Sequence, residues 1–244
     1  MADMLFEEPR LAEVYDLFDS AERPDLDPYM AMADEFDAKS VIDLGCGTGT
    51  LACRLAGVGK EVIGIDPAAA SLKVASGKAY AERVRWIHGT AAKLAGLQAD
   101  LVTMTGNVAQ VFITDEEWMS TLRVCRDIIR PGGRLVFEVR DPSKEAWKKW
   151  TREHTYQVMD VPAKGKIETW IDLLDVQLPF VTFRHTFVFH RDGAVITSDS
   201  TLKFRSKSEV IDSLSGANFH VEDIRDAPDR PGLEFVFVAR CPGR

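Results

Sequence analysis

Residues Val41–Leu51 read VIDLGCGTGTL. An apolar run ends on an acid, Asp43, and three glycines, Gly45, Gly47 and Gly49, then alternate with small residues. Glycine inside a regular element costs roughly 0.5–1 kcal/mol relative to alanine, so this spacing marks a place where bare backbone must turn or approach something closely. The residues that follow, LACRLAG, are amphipathic, so the stretch reads as strand, glycine turn and helix. In open α/β sheets such a turn lies at the carboxyl end of a strand, where ligands bind.

Outward from this point the pattern repeats. SVIDLG is followed by LACRLAG, EVIGID by AAASLKVASGKAY, RVRWIHG by AAKL, and ADLVTM by DEEWMSTLRVCRDII; GRLVFEVRD completes five strands by Val139. Near-continuous apolar strands alternating with helices predict a parallel sheet covered on both faces. Pro131, Gly132 and Gly133 are expected to break the chain between the last of these helices and the fifth strand. Upstream, Leu5 to Phe36 carries apolar residues at helical spacing interrupted by Pro24 and Pro28, which predicts two helices able to act as a lid.

Downstream the period changes. VTFRHTFVFHR, residues 181–191, alternates with period two, and AVITSDSTLKFR follows across Asp192-Gly193, a dipeptide favoured in two-residue hairpin turns. That turn would set Phe189 opposite Ile196, Phe183 opposite Leu202 and Val181 opposite Phe204. Lys166 to Val176 reads as one more strand. SKSEVIDSLSGANF predicts a helix ending near Gly216, followed by strands HVEDIRD and EFVFVARC. The expectation is a single domain over 1–244: N-terminal helices at 1–38, a ligand-binding core at 39–142, an antiparallel β insertion at 143–205 and a closing helix and strand pair at 206–244.

Composition narrows the function. A chain of 244 residues, 45% hydrophobic and 28% charged, can bury a substantial core. Its net charge of −8 and the lack of a basic block disfavour a nucleic-acid partner. Cys46, Cys53, Cys125 and Cys241 form no CxxC pattern, and the histidines show no metal-ligand spacing, so no metal is expected. The longest uncharged stretch, Leu101 to Thr114, is too short to span a bilayer, and nothing at the N-terminus reads as a signal peptide. A soluble, cytoplasmic protein is expected.

Three cofactor classes compete for the glycine turn. A phosphate-binding GxxxxGK[ST] loop would need glycine and lysine where Thr50 and Leu51 stand, and the dinucleotide fingerprint GxGxxG would need glycine at position 50. The chain has GxGxG instead. DLGCGTGTLACRLA resembles motif I of the class I, Rossmann-like S-adenosyl-L-methionine-dependent methyltransferases of the small-molecule type. Asp66, ending the second strand 21 positions after Gly45, supports the resemblance, as do RPGGRLVFE and the closing helix, strand, strand order. The resemblance covers Ser40 to Asp141 closely and Ser206 to Cys241 in pattern. It implies a doubly wound, mostly parallel seven-stranded sheet with a reversed last strand, an N-terminal helical lid and an antiparallel β insertion after the fifth strand.

By matching position, the resemblance sets Asp43, Gly45, Cys46, Gly47 and Gly49 around the methionine part of S-adenosyl-L-methionine, with Asp66 on the ribose and Pro67 against the adenine. Thr90, beside Ala91, stands where the family often has an aspartate near the adenine amino group, and a hydroxyl is the weaker acceptor. Thr105, Gly106 and Asn107, in MTGNV, match the segment that passes under the sulfonium. Tyr15, in LAEVYDLFD, resembles an N-terminal AxxYD pattern whose ring can cover the cofactor. Asn107, Tyr15 and His185, the last on the predicted hairpin, are the candidates for direct contact with the chemistry, and no general base is assigned.

Plainer roles stand beside these. Asp66 can cap the next helix, Asn107 can satisfy a turn, Tyr15 and His185 can be packing residues, and Trp147, Trp150 and Trp170 can line an aromatic pocket or simply be buried. The expected reaction is methyl transfer to a nitrogen or oxygen of a small molecule, leaving S-adenosyl-L-homocysteine. MTGN is not the N/DPPY type that serves exocyclic amines of bases. A nicotinamide oxidoreductase or a non-catalytic cofactor-binding module are the alternatives, and a homodimer stays open.

Overall fold

The computed structural model describes residues 3–18 and 23–243; residues 1–2 and 19–22, which belong to the expected N-terminal lid, and residue 244 lie outside the described residues. Among the described residues three helices rather than the expected two, α1 (Met4–Glu7), α2 (Pro9–Tyr15) and α3 (Asp27–Glu35), precede the sheet. Pro9 and Pro28 sit in the first turns of α2 and α3, where a missing N–H costs nothing, so Pro28 starts a helix rather than breaking one. The alternating core then runs β1 (Ser40–Leu44), α4 (Thr50–Gly57), β2 (Glu61–Asp66), α5 (Ala69–Ala75), β3 (Val84–His88), β4 (Ala99–Met104), α6 (Asp115–Ile128) and β5 (Ile129–Arg140).

A short helix, α7 (Arg152–Thr155), leads into β6 (Gln157–Val161), β7 (Gly165–Gln177), β8 (Phe180–Phe189) and β9 (Ala194–Lys203); α8 (Lys207–Gly216), β10 (His220–Asp226) and β11 (Glu234–Arg240) complete the chain. The main sheet has seven strands in the order β10-β11-β5-β4-β1-β2-β3, and β6-β7-β8-β9 form a separate antiparallel sheet. β1 pairs in parallel with both β2 and β4, so the strand order reverses between β1 and β4. β11, the last strand, runs antiparallel to β5 and to β10.

Both faces of the main sheet are covered, as the continuous apolar strands require. Ile42, Met104, Leu135 and Phe137 pack with Trp118, Leu122 and Leu214 from α6 and α8. On the other face Val41, Leu101, Val136 and Val238 meet Tyr29, Met32, Leu51 and Leu55 from α3 and α4. Capping boxes of Thr114 with Glu117 and Ser206 with Glu209 start α6 and α8, each cap contributing about 1 kcal/mol.

Two expectations change. Pro131-Gly132-Gly133 does not separate helix from strand: β5 begins at Ile129, directly after α6, and the three residues form an irregularity within it. Ala99 pairs with Ile129 and Leu101 with Arg134, while Gly132 N–H and Gly133 C=O bond to Cys241 on the far side, at 2.9 and 2.8 Å. The β8–β9 register is also two residues from the expected one: Phe189 opposes Ala194, Phe187 opposes Ile196 and Val181 opposes Leu202. Four residues, His190 to Gly193, form the connection. Gly193, at φ 73°, returns its N–H to Phe189 C=O at 2.9 Å, and Asp192 Oδ1 accepts from Ala194 N–H at 3.1 Å. A shift of two leaves each side chain on its expected face, so the apolar face survives the error.

The N-terminal helices bridge the two sheets. Leu5, Leu11 and Val14 pack against Ile167, Phe187 and Phe189 of the antiparallel sheet. Leu5 N–H donates to Ser198 Oγ at 2.8 Å on β9. Toward the main sheet, Ala69 N–H donates to Glu7 at 3.0 Å and Ser71 Oγ donates to Phe6 C=O at 2.9 Å. Among the described residues no helix is long and apolar enough to cross a membrane.

Gly133 has room for hydrogen alone, since a Cβ there would lie 2.5 Å from the Asp100 carbonyl oxygen. Gly133→Ala should therefore lower stability by about 1–3 kcal/mol, as overpacked sites do. Urea unfolding followed by circular dichroism measures this; an unchanged midpoint would contradict the packing described.

Candidate active site

The crevice outside the carboxyl ends of β1 and β2 is built mostly from backbone. After β1, the N–H groups of Gly45 and Cys46 both donate to Ile65 C=O, at 2.8 and 3.1 Å, which folds the turn over the end of β2. Gly47, at φ 51°, has no atom within 4 Å of where a Cβ would stand, so the space beside its Cα is open. Its N–H donates to Asp66 Oδ2 at 2.8 Å, and Asp66 Oδ1 accepts from Ala68 N–H at 2.8 Å. Asp66 thus holds the glycine turn and also shapes the entry to α5. Burial raises its pKa, against the pull of the Ala68 and Gly47 amides.

Asp43 lies one strand away and is 1% exposed. Its Oδ1 accepts from Thr103 Oγ1 at 3.0 Å, whereas Oδ2 is buried with no partner. Burial pushes its pKa up to about 7, with the Asp66 charge adding to the rise and the Thr103 hydroxyl and the Ala52 amide at the start of α4 opposing it. A buried carboxylate oxygen without a hydrogen bond, beside the glycine turn, fits a ligand that carries a cationic amine. Pro67 is exposed next to Asp66, with its carbonyl 2.9 Å from His88 Nε2; Thr90 is exposed and leads into a 3-10 turn, Ala91–Leu94, in which Ala91 is buried. These residues line the ends of β1, β2 and β3, in sequence order across the sheet.

After β4, Thr105 is half-buried, Gly106 exposed and Asn107 buried in the left-handed region at φ 63°. Asn107 N–H donates to Glu138 Oε1 at 2.6 Å, and its Nδ2 donates to Glu234 Oε1 at 3.3 Å. Tyr29 O–H donates to the other oxygen of Glu138. Arg230 Nη1 lies 2.7 Å and Arg140 Nε 3.5 Å from Glu234 Oε1. A cavity of about 30 Å³ is bounded by Tyr29, Thr105, Gly106, Glu138, Arg230 and Glu234 among others. Burial drives the Glu138 pKa up to about 7; the Asn107 amide opposes this and the charge of Glu234 adds to it.

Glu138 and Glu234 were not foreseen from the sequence. Each sits in an apolar run, LVFEV and LEFVF, that reads simply as strand, and the available signal was an acid flanked by residues of a fully buried strand. Asp16 was also missed as a contact. It follows Tyr15, accepts from Thr48 Oγ1 at 2.7 Å and from Lys78 Nζ at 2.6 Å, and so ties the N-terminal helices to the glycine turn.

Tyr15 ends α2 with its ring 5.5 Å from Phe6, and its phenol acts electrostatically on Arg140. His185 stands apart on β8, between Phe183 and Phe187 at ring distances of 5.8 and 6.0 Å. Its Nδ1 is buried without a partner, and burial pushes its pKa down to about 4, leaving a neutral imidazole. Trp147 and Trp150 pack on Phe204 and Phe183, each at 4.7 Å, while Trp170 lies under Arg152 at 4.1 Å and donates to Asp172. None of the three is brought to the glycine crevice by a recorded contact. Among the described residues no cluster of His, Cys, Asp and Glu suits a metal ion.

Residues 41–133 match a family described as a methyltransferase domain. A cypemycin N-terminal methyltransferase from Streptomyces is 29% identical over 147 residues, covering 59% of this chain and 60% of that protein. The chain spans 44% to 60% of the length of the first curated relatives it matches. Among solved structures, the sugar N-methyltransferase KedS8 from Streptoalloteichus superposes with a TM-score of 0.78 at 16% identity, covering 94% of this chain and 93% of that one. The CcbJ methyltransferase from Streptomyces caelestis gives 0.77 at 19% identity, with 96% of each chain covered. The chain has the class I methyltransferase fold, with the antiparallel sheet as its addition.

Because the folded pKa of Asp43 is raised, its contribution to stability is complete below its unfolded value of 3.8 and is lost as pH rises through about 7. His185 acts in the opposite sense between about 4 and 6.5, so a single-site difference isolates Asp43. The stability of the wild type relative to Asp43→Asn should fall as pH rises from about 5 to 7, by up to about 1.4 kcal/mol per unit. Urea titrations at a series of pH values test this, and a flat difference would remove the buried carboxyl from the account.

Proposed function

We propose that the chain is an S-adenosyl-L-methionine-dependent methyltransferase acting on a nitrogen or oxygen of a small molecule. The observation that carries this reading is the junction of the Gly47 peptide and the Asp66 carboxylate, 2.8 Å apart, beside the partnerless oxygen of Asp43. Asp43 and the peptide groups of Gly45, Cys46, Gly47 and Gly49 would hold the amino-acid end, Asp66 the ribose, and Pro67, Thr90 and Ala91 the adenine side. Thr105, Gly106 and Asn107 would face the reacting end. When bound, the cofactor supplies a methyl group already activated on a sulfonium.

What this chain's residues contribute is alignment and exclusion of water. Helices α1 and α2, latched to both sheets, would roof the crevice, with the Tyr15 ring at the end of α2 as its cover. With its pKa pushed down to about 4 by burial, His185 is a weak proton acceptor, which favours an acceptor that arrives as a neutral amine. Nitrogen as the acceptor draws support from the names of the cypemycin and KedS8 relatives. The buried free cysteines suit a reducing cytoplasm.

Asp66→Ala should weaken S-adenosyl-L-homocysteine binding by about 1–3 kcal/mol, from lost hydrogen bonds to a carboxylate and from loosening of Gly47. Isothermal calorimetry measures this. Stabilisation of the wild type by NADH but not by S-adenosyl-L-homocysteine in thermal melts would turn the assignment toward a nicotinamide enzyme.

A further inference from the structure

The post-β4 loop is held by an unusual anchor. Asn107 is buried, 2% exposed, in a left-handed conformation that asparagine tolerates better than most side chains. Its N–H has no helix or ladder to satisfy it and donates instead to Glu138. The second oxygen of Glu138 accepts from Tyr29, so one side chain fastens β5 to α3 and to the loop together. The Asn107 side chain is meanwhile held by Glu234, in turn paired with Arg230. Without the Glu138 acceptor, a buried N–H would be left unsatisfied, and the loop would be held by the longer Glu234 contact and the Gln110 N–H to Asn107 C=O turn bond.

We propose that Glu138 is a positioning residue for methyl transfer, fixing Thr105–Asn107 against the methyl-bearing end of the cofactor while leaving the adenosine and amino-acid subsites to other residues. This rests on the methyltransferase reading. The charged and titratable groups around Glu138 are Tyr29 and Asp25 from the N-terminal region, Asp229, Arg230 and Glu234 from the β10–β11 side, and Arg140 on its own strand. Glutamine in place of glutamate can still accept from Asn107 through its oxygen and donate to the Tyr29 oxygen through its amide. Alanine can do neither.

The test is calorimetry with S-adenosyl-L-methionine and S-adenosyl-L-homocysteine, two ligands that differ at the sulfur. Glu138→Ala should lose about tenfold more affinity for the methylated ligand than for the demethylated one, and Glu138→Gln should restore most of that difference. A purely structural role would weaken both ligands alike, and that result, or no change for either, would overturn the proposal while leaving the cofactor assignment standing. Should the alanine variant fail to fold, Tyr29→Phe carries the test: a selective loss of about twofold to threefold supports the proposal and an equal loss refutes it. If the wild type binds neither ligand, the cofactor assignment falls, and this proposal with it.

Discussion

The hydrogen bond from the Gly47 peptide to the Asp66 carboxylate is the contact on which the crevice depends. It joins the turn leaving β1 to the end of β2, one strand from the β1–β4 boundary where the sheet order changes direction. Parallel strands bring their carboxyl ends to one edge, and a reversal in strand order opens a gap there that no crossover helix fills. The acid and the glycine turn it into a surface of peptide groups with a fixed anion beside it. The rest of the sheet, with its two apolar layers, holds these two strand ends in register.

Along the same edge, burial decides the charge state of the side chains. Asp43 and Glu138 are each pushed up to about 7 by loss of water, so both change charge within the neutral range rather than far below it. The two differ in satisfaction. Glu138 has both oxygens engaged and joins three segments, whereas Asp43 is bonded through Oδ1 to Thr103 and keeps Oδ2 without a hydrogen bond. Similar chemistry thus serves two roles on neighbouring parts of one edge, separated by what surrounds each group.

The parts of the fold that were legible in the sequence are those governed by local rules. Strand and helix periods, the acid after the second strand and the glycine turn all follow from neighbours close in the chain, and the core strands lie where the pattern sets them. The β8–β9 pairing was read one turn type too tight, because Asp192-Gly193 is compatible with more than one loop length and only the tertiary fit selects among them. β6 was missed since it is only five residues long and three of them, Gln157, Val158 and Asp160, are exposed, so no buried apolar face marks it. Glu138 escaped notice for a different reason: its partners, Tyr29 and Asn107, come from two distant segments, and no spacing along the chain encodes their meeting.

The short helix α1 is bonded at one end to Ser198 on the antiparallel sheet and at the other to the start of α5 beside the main sheet. Any displacement of α1 from one sheet strains its bonds to the other, so this four-residue helix makes the spacing between the two sheets a property of both at once.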